Sequence, residues 1–207
     1  MGNSDLHGSA PDTHAIALLL IDVINPLDFP EADQLLRFAV PAAERIAALK
    51  RRAREAGVPV VYVNDNFGKW RSDFRQVYEE ASGEASRGRP IAQLLRPDTE
   101  DYFVLKPKHS GFFSSTLELL LGKLGARELI LTGFATDICV LFTANDAYMR
   151  DLSLVVPEDC CAANTAPAHR HALEVLRTLL KARTEPSDLL HFTASGCVRA
   201  PAPSGRG

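Results

Sequence analysis

No apolar run in this chain approaches the length of a membrane span. The longest, Ala15 to Ile21, falls far short of the roughly 20 residues that a helix needs to cross a bilayer. Basic residues are not in excess either: 23 Lys and Arg stand against 26 Asp and Glu, a net charge of −3, so there is no electrostatic footprint for nucleic acid. Cysteine is scarce. The four present are irregularly spaced and two are adjacent, which excludes a disulfide framework and makes a reducing, cytoplasmic setting the expectation. The opening residues, MGNSDLHGSAPD, lack the basic-then-apolar order of a secretory signal. Gly-rich phosphate loops, nucleotide fingerprints, nucleophile-elbow serines and internal repeats are also missing.

What remains is an ordinary globular composition, 46% hydrophobic and 24% charged over 207 residues, enough for one domain with a full core. Residues 1–13 and 198–207 read as flexible ends around a single domain at 14–197. Ala15 to Ile21 reads as a strand buried on both faces, ending in Asp22. A loop over Asn25 to Asp33 follows, then a helix from Pro41 to Ala56 with its basic run on the solvated face. A second strand is expected over Val58 to Val63, a third over Tyr102 to Leu105, and a helix over Thr116 to Leu124. Further strands are expected at 128–132 and Leu152 to Val156, a helix over Pro167 to Leu180, and one short strand within Ala182 to His191. This alternation predicts an α/β fold: a three-layer α/β/α, doubly wound, mostly parallel sheet.

The informative stretch is Arg127 to Met149. A buried strand, Leu129-Ile130-Leu131, breaks at Thr132-Gly133, and a helical pattern begins at Thr136 and Asp137. Cys139 is thereby expected in the first turn of a helix, where unpaired N–H groups favour thiolate and could hold an oxyanion. Taken alone it reads first as a small buried side chain, and the rest of the chain has to shift that reading. Asp22 and Lys106 also follow buried strands, and in a parallel sheet all such ends open on one edge, where ligands collect. An acid, an ammonium and a sulfur converging there would make a nucleophile with its proton carrier.

Around them lie the candidate substrate-binding residues: Asn25 and Phe29 in the loop at 25–33, Asn64 at the second strand end, Phe67 and Trp70 beyond it, and His109. Phe67 and Trp70 read either as pocket wall or as cover for the sheet edge. The weakly periodic segment 66–100 is expected to supply a lid or binding loop. Cys160-Cys161 is expected to pack rather than to react. His169 and His171 are expected to face solvent.

In LLLIDVINPLDF, VLKPKHSGFFSSTL and LTGFATDICV the chain resembles the isochorismatase-like cysteine hydrolases, over nearly the whole domain. The resemblance implies an Asp22-Lys106-Cys139 triad, a cis peptide between Phe134 and Ala135, and an oxyanion hole from the N–H groups of Ala135 and Cys139. It implies a small-molecule substrate and a homodimer or homotetramer. Two departures narrow it: Ile24 stands where many members carry glutamine, and Asn64-Asp65-Asn66 lacks the histidine of the nicotinamidase metal site. No metal and no cofactor are therefore expected. Retention of Cys139 favours amide hydrolysis through a thioester. Vinyl-ether hydrolysis, with Asp22 as the acid and Cys139 incidental, and a non-catalytic binding protein on the same fold are the alternatives.

Overall fold

The apolar runs become strands because each is buried from both sides. In the computed structural model, which describes residues 13–71, 73–193 and 196–199, β1 (Ile16–Ile21) is buried along its whole length. Its even residues Ile16, Leu18 and Leu20 face one core and Ala17, Leu19 and Ile21 the other. The first core is covered by α1 (Ala32–Glu55), α2 (Phe74–Ser82) and α3 (Arg89–Leu94). Covering the second are α4 (Leu117–Leu124), α5 (Leu141–Tyr148) and α6 (Ala166–Thr178).

Between the helical layers the sheet runs β3-β2-β1-β4-β5, with β2 at Val60–Asp65, β3 at Tyr102–Lys106, β4 at Glu128–Phe134 and β5 at Ser153–Val155. Every pairing in it is parallel, and β6 (Cys161–Ala162) lies beside the far end of β4. The three-layer, doubly wound expectation holds. The chain leaves β1 for β2 on one side and returns to β4 on the other, so the β1/β4 junction is the switch point where such sheets bind ligands.

Several boundaries differ from expectation for identifiable reasons. α1 starts at Ala32, not Pro41, because Ala32, Leu35 and Ala39 extend the buried stripe of Ala42, Ile46 and Leu49 backwards. Pro41 is tolerated inside the helix because its ring is exposed and the carbonyl it frees can reach water. The segment 66–100 holds α2 and α3 rather than an open loop. Asp73 caps α2 by accepting from the Gln76 amide at 2.9 Å, and Phe74 stacks on Phe103 of β3 at 5.0 Å. The strand expected before His191 is instead β7 (Leu190–Thr193), antiparallel to β8 (Gly196–Arg199). β8 therefore takes in two residues of the expected tail, while 200–207 and 1–12 lie outside the described residues. Among the described residues no helix is long and apolar enough to cross a membrane.

Candidate active site

The approach of β4 to β1 sets the geometry of the switch point. Gly133 has φ +115°, and a Cβ there would stand 2.0 Å from the Ile21 carbonyl oxygen, so only glycine lets the strands close at this point. One residue later the Phe134–Ala135 peptide is cis. The chain then winds into a π-helical turn, Thr136–Val140, and α5 begins only at Leu141. Cys139 thus belongs to the turn before the α-helix, not to the helix's own first turn. The reason lies in the bonding: the Val140 amide reaches back five residues to the Ala135 carbonyl at 3.2 Å. The turn is pinned further on, where Thr143 Oγ1 donates to the Cys139 carbonyl at 2.6 Å and accepts from the Gly111 amide at 3.0 Å.

Asp22 ends β1 with φ +52°, a left-handed conformation that costs a non-glycine residue about 1–3 kcal/mol. Two bonds hold it there: Oδ1 accepts from the Asp65 amide at 2.7 Å, and Oδ2 accepts from Lys106 Nζ at 2.8 Å. Lys106, the last residue of β3, is fully buried, yet its ammonium has company on every side. It stands 3.6 Å from Asp65 Oδ2 and 3.8 Å from Cys139 Sγ. The acid, the ammonium and the sulfur meet at the switch point.

Their titration is coupled. Burial pushes the Asp22 carboxyl above its usual value, and the Lys106 charge together with the Cys139, Lys106 and Asp65 hydrogen bonds offsets only part of that. Burial alone would lower Lys106, but Asp22, with Cys139 and Asp65, outweighs it and keeps the ammonium protonated beyond its ordinary range. For Cys139, burial and then the Asp22 carboxylate push the thiol up, against Lys106. Burial and the Asp22 carboxylate thus work against the expected thiolate and Lys106 works for it, because sulfur and carboxylate compete for the one ammonium.

The candidate substrate-binding residues separate. His109 is at the mouth, its Nδ1 4.0 Å from Cys139 Sγ and its ring 5.6 Å from that of half-exposed Phe142. Asn64 is buried below the site and donates to the Ile24 carbonyl at 2.6 Å, while its Oδ1 has no hydrogen-bond partner. Asn25 closes a turn by accepting from the Leu27 amide at 2.8 Å, and Phe29 packs against the first core. Phe67 follows the end of β2 with φ +52°, and Trp70 is 79% exposed. No contact brings Asn25, Phe29, Phe67 or Trp70 to the sulfur.

Sequence reasoning did not find Thr143, whose two bonds tie the Cys139 turn to the segment after Lys106, nor His169. Against expectation His169 does not face solvent: its Nδ1 lies 2.8 Å from Thr136 Oγ1, in the turn that carries Cys139. His171 is exposed, and Cys160 and Cys161 pack in the core as expected.

The residues after β2 do not fit a divalent cation. Asn66 Oδ1 is occupied by the Gly68 amide at 2.9 Å, and the one carboxylate there, Asp65, faces the Lys106 ammonium. A second positive charge would be repelled.

A model described as the isochorismatase domain matches residues 16–185. The chain belongs to the isochorismatase family. It is 40% identical over 164 residues to the isochorismatase family protein YaaI of Bacillus subtilis (strain 168), covering 79% of this chain and 90% of that protein. It is 29% identical over 191 residues to the ureidoacrylate amidohydrolase RutB of Methylorubrum extorquens (strain DSM 6343 / CIP 106787 / DM4), covering 76% of this chain and 73% of RutB. The structure of N-carbamoylsarcosine amidase from Thermoplasma acidophilum aligns with a TM-score of 0.65 at 27% identity, over 84% of this chain and 96% of that one. Isochorismatase-family proteins are hydrolases, amidohydrolases among them.

Proposed function

We propose that this protein is a cysteine-dependent amidohydrolase that cleaves the C–N bond of a small carboxamide-type metabolite through a thioester. The observation that carries the reading is the shared contact of Lys106 with Asp22 and Cys139. Cys139 Sγ attacks the carbonyl carbon as its proton passes to Asp22, a stronger base than a free carboxylate because burial raises it. The N–H groups of Ala135 and Cys139 hold the oxyanion. As the intermediate collapses, the C–N bond breaks and Asp22 returns the proton to the leaving nitrogen. Water then enters and loses a proton to Asp22. Its oxygen bonds to the thioester carbon, the C–S bond breaks, and the proton goes back to sulfur. Lys106 stays charged throughout and holds Asp22 in place.

Two relatives supply a substrate class. Ureidoacrylate and N-carbamoylsarcosine both carry an N-carbamoyl group, so small ureido and carbamoyl acids head the panel to be screened. In the vinyl-ether alternative the contact of Lys106 with Cys139 would have no task. The test is ammonia release over a panel of small amides and ureido acids, with and without chelator, followed by mass spectrometry of quenched enzyme. A mass increase on Cys139 equal to the acyl group is expected. Turnover by a Cys139→Ala enzyme would end the thioester reading.

A further inference from the structure

We infer that His169 is a positioning residue for Cys139, acting through Thr136. Thr136 is fully buried and opens the turn that carries Cys139, directly after the Phe134–Ala135 peptide. Its hydroxyl lies 2.8 Å from His169 Nδ1. His169, on α6, therefore ties that helix to the turn that carries Cys139.

Packing does not account for this ring. One side of it lines a cavity of about 260 Å³ between α1 and the start of α6, shared with Phe38, Arg45, Asp159 and Ala166. A histidine there only to fill space would leave no void beside it. The hydrogen bond to Thr136 fixes the ring where side-chain contact is incomplete. Its own backbone is fixed independently, since the Thr165 side chain caps α6 and the His169 amide donates to the Thr165 carbonyl at 3.1 Å.

The charged groups around the ring pull both ways. Burial lowers its pKa, Glu158 and Asp137 raise it, and Arg170 on the same helix lowers it, with lowering as the outcome. Arg45 and Asp159 face the ring across the cavity. A proton added to Nδ1 would set two donors against each other, and buried Thr136 could keep the bond only by turning its hydrogen away. Acid should therefore loosen the turn.

The test uses the whole protein and iodoacetamide, so it does not need the substrate. Nitrogen-15 NMR of the labelled imidazoles should show His169 titrating below the usual value near 6.5. In His169→Ala the sulfur can move away from Asp22, so Cys139 alkylation at pH 8 should rise about tenfold. His169→Asn offers an oxygen near the Nδ1 position and should stay within about twofold of the parent. Alkylation is counted against a Cys139→Ala background. A His169 ring that titrates at the ordinary value, or Ala and Asn variants alkylated alike, would overturn the inference, and the NMR arm stands even if the Ala variant fails to fold. On the substrate that the parent hydrolyses, kcat in His169→Ala should fall by between about 10- and 100-fold with KM less affected, the cost of a turn displaced by about 1 Å. The kinetic arm alone rests on the amidohydrolase reading. If alkylation and NMR behave as stated and no amide is hydrolysed, that reading fails and the positioning role stands.

Discussion

The molecule buries two lysines, and they differ in how completely they are satisfied. Lys50, 6% exposed on α1, reaches Tyr62 Oη at 2.9 Å, the Arg96 carbonyl at 3.0 Å, Asp98 at 3.1 Å and Asp101 at 2.7 Å. Every ammonium proton has an acceptor, Arg54 stands by as a second cation for both carboxylates, and Tyr62 passes its own proton to the Leu95 carbonyl at 2.8 Å. Lys106, 0% exposed, has a single short partner in Asp22, with Asp65 and Cys139 at 3.6 and 3.8 Å. The first network is closed and can only hold α1 to the segment after α3. The second is open on the side of the sulfur, and its members compete for one ammonium. Saturation makes a clamp; shared, incomplete partnering leaves a proton free to move.

Removing the sulfur breaks the open network at its reactive atom. Cys139→Ala should reduce turnover by at least about 10⁴-fold, as loss of a nucleophile does elsewhere, with melting temperature little changed because the side chain is only partly buried. Ammonia release near the parent rate would remove the nucleophile from the scheme. Asp22→Asn separates proton transfer from sulfur chemistry. Turnover should fall by about 10³-fold, within the range of general-base losses. Alkylation of Cys139 should move the other way: with the Asp22 carboxylate gone, only the more distant Asp65 still competes with the sulfur for Lys106, and the thiolate becomes easier to form. Slower alkylation in this variant would mean that Asp22 does not hold the sulfur's proton.

The closed network should answer in stability, not in rate. Lys50→Met leaves buried Asp101 with a 3.5 Å contact to Arg54 as its remaining ion pair, beside the Asp98 amide at 2.8 Å. Breaking a buried pair in this way costs about 3 kcal/mol, a fall in Tm of roughly 10 °C for a domain of this size. Scanning calorimetry reads the first, and kcat on the same preparation should stay within about twofold, since Lys50 touches none of the reacting groups. A large loss of kcat with Tm unchanged would erase the distinction between the two lysines.

The sequence made the open network legible and the closed one invisible. Asp22, Lys106 and Cys139 each end or follow a strongly apolar run, and the parallel sheet alone brings such ends together. Lys50 sits in a basic run, Lys50-Arg51-Arg52, that periodicity assigns to solvent. What buries it is the return of Asp98 and Asp101 from 48 and 51 positions away, which no local pattern encodes. His169 was missed for the same reason, because its partner Thr136 arrives through β4. The charge state of Cys139 is illegible in the sequence for a different reason. Its neighbours were read correctly, but whether a cation or an anion dominates at one sulfur depends on distances of a few ångströms, and spacing along the chain does not carry those.

The smallest expected effect tests that balance most finely. Burial and Asp22 raise the thiol, Lys106 lowers it, and Asp65, the last of the contributors, raises it. Asp65→Asn keeps the amide that holds Asp22 and removes one negative charge, so the midpoint of the alkylation profile should fall by a fraction of a pH unit. In Asp22→Asn the same midpoint should fall further. Lys106 gives the matching sign in stability. Its folded pKa lies above the ordinary 10.5, so its contribution is complete below that value and is lost as pH rises through the folded one. Removing Asp65 lowers the folded value and should bring alkaline unfolding to slightly lower pH. If the thiol midpoint and the alkaline transition moved in opposite directions, Lys106 would not be the ammonium for which sulfur and carboxylate compete.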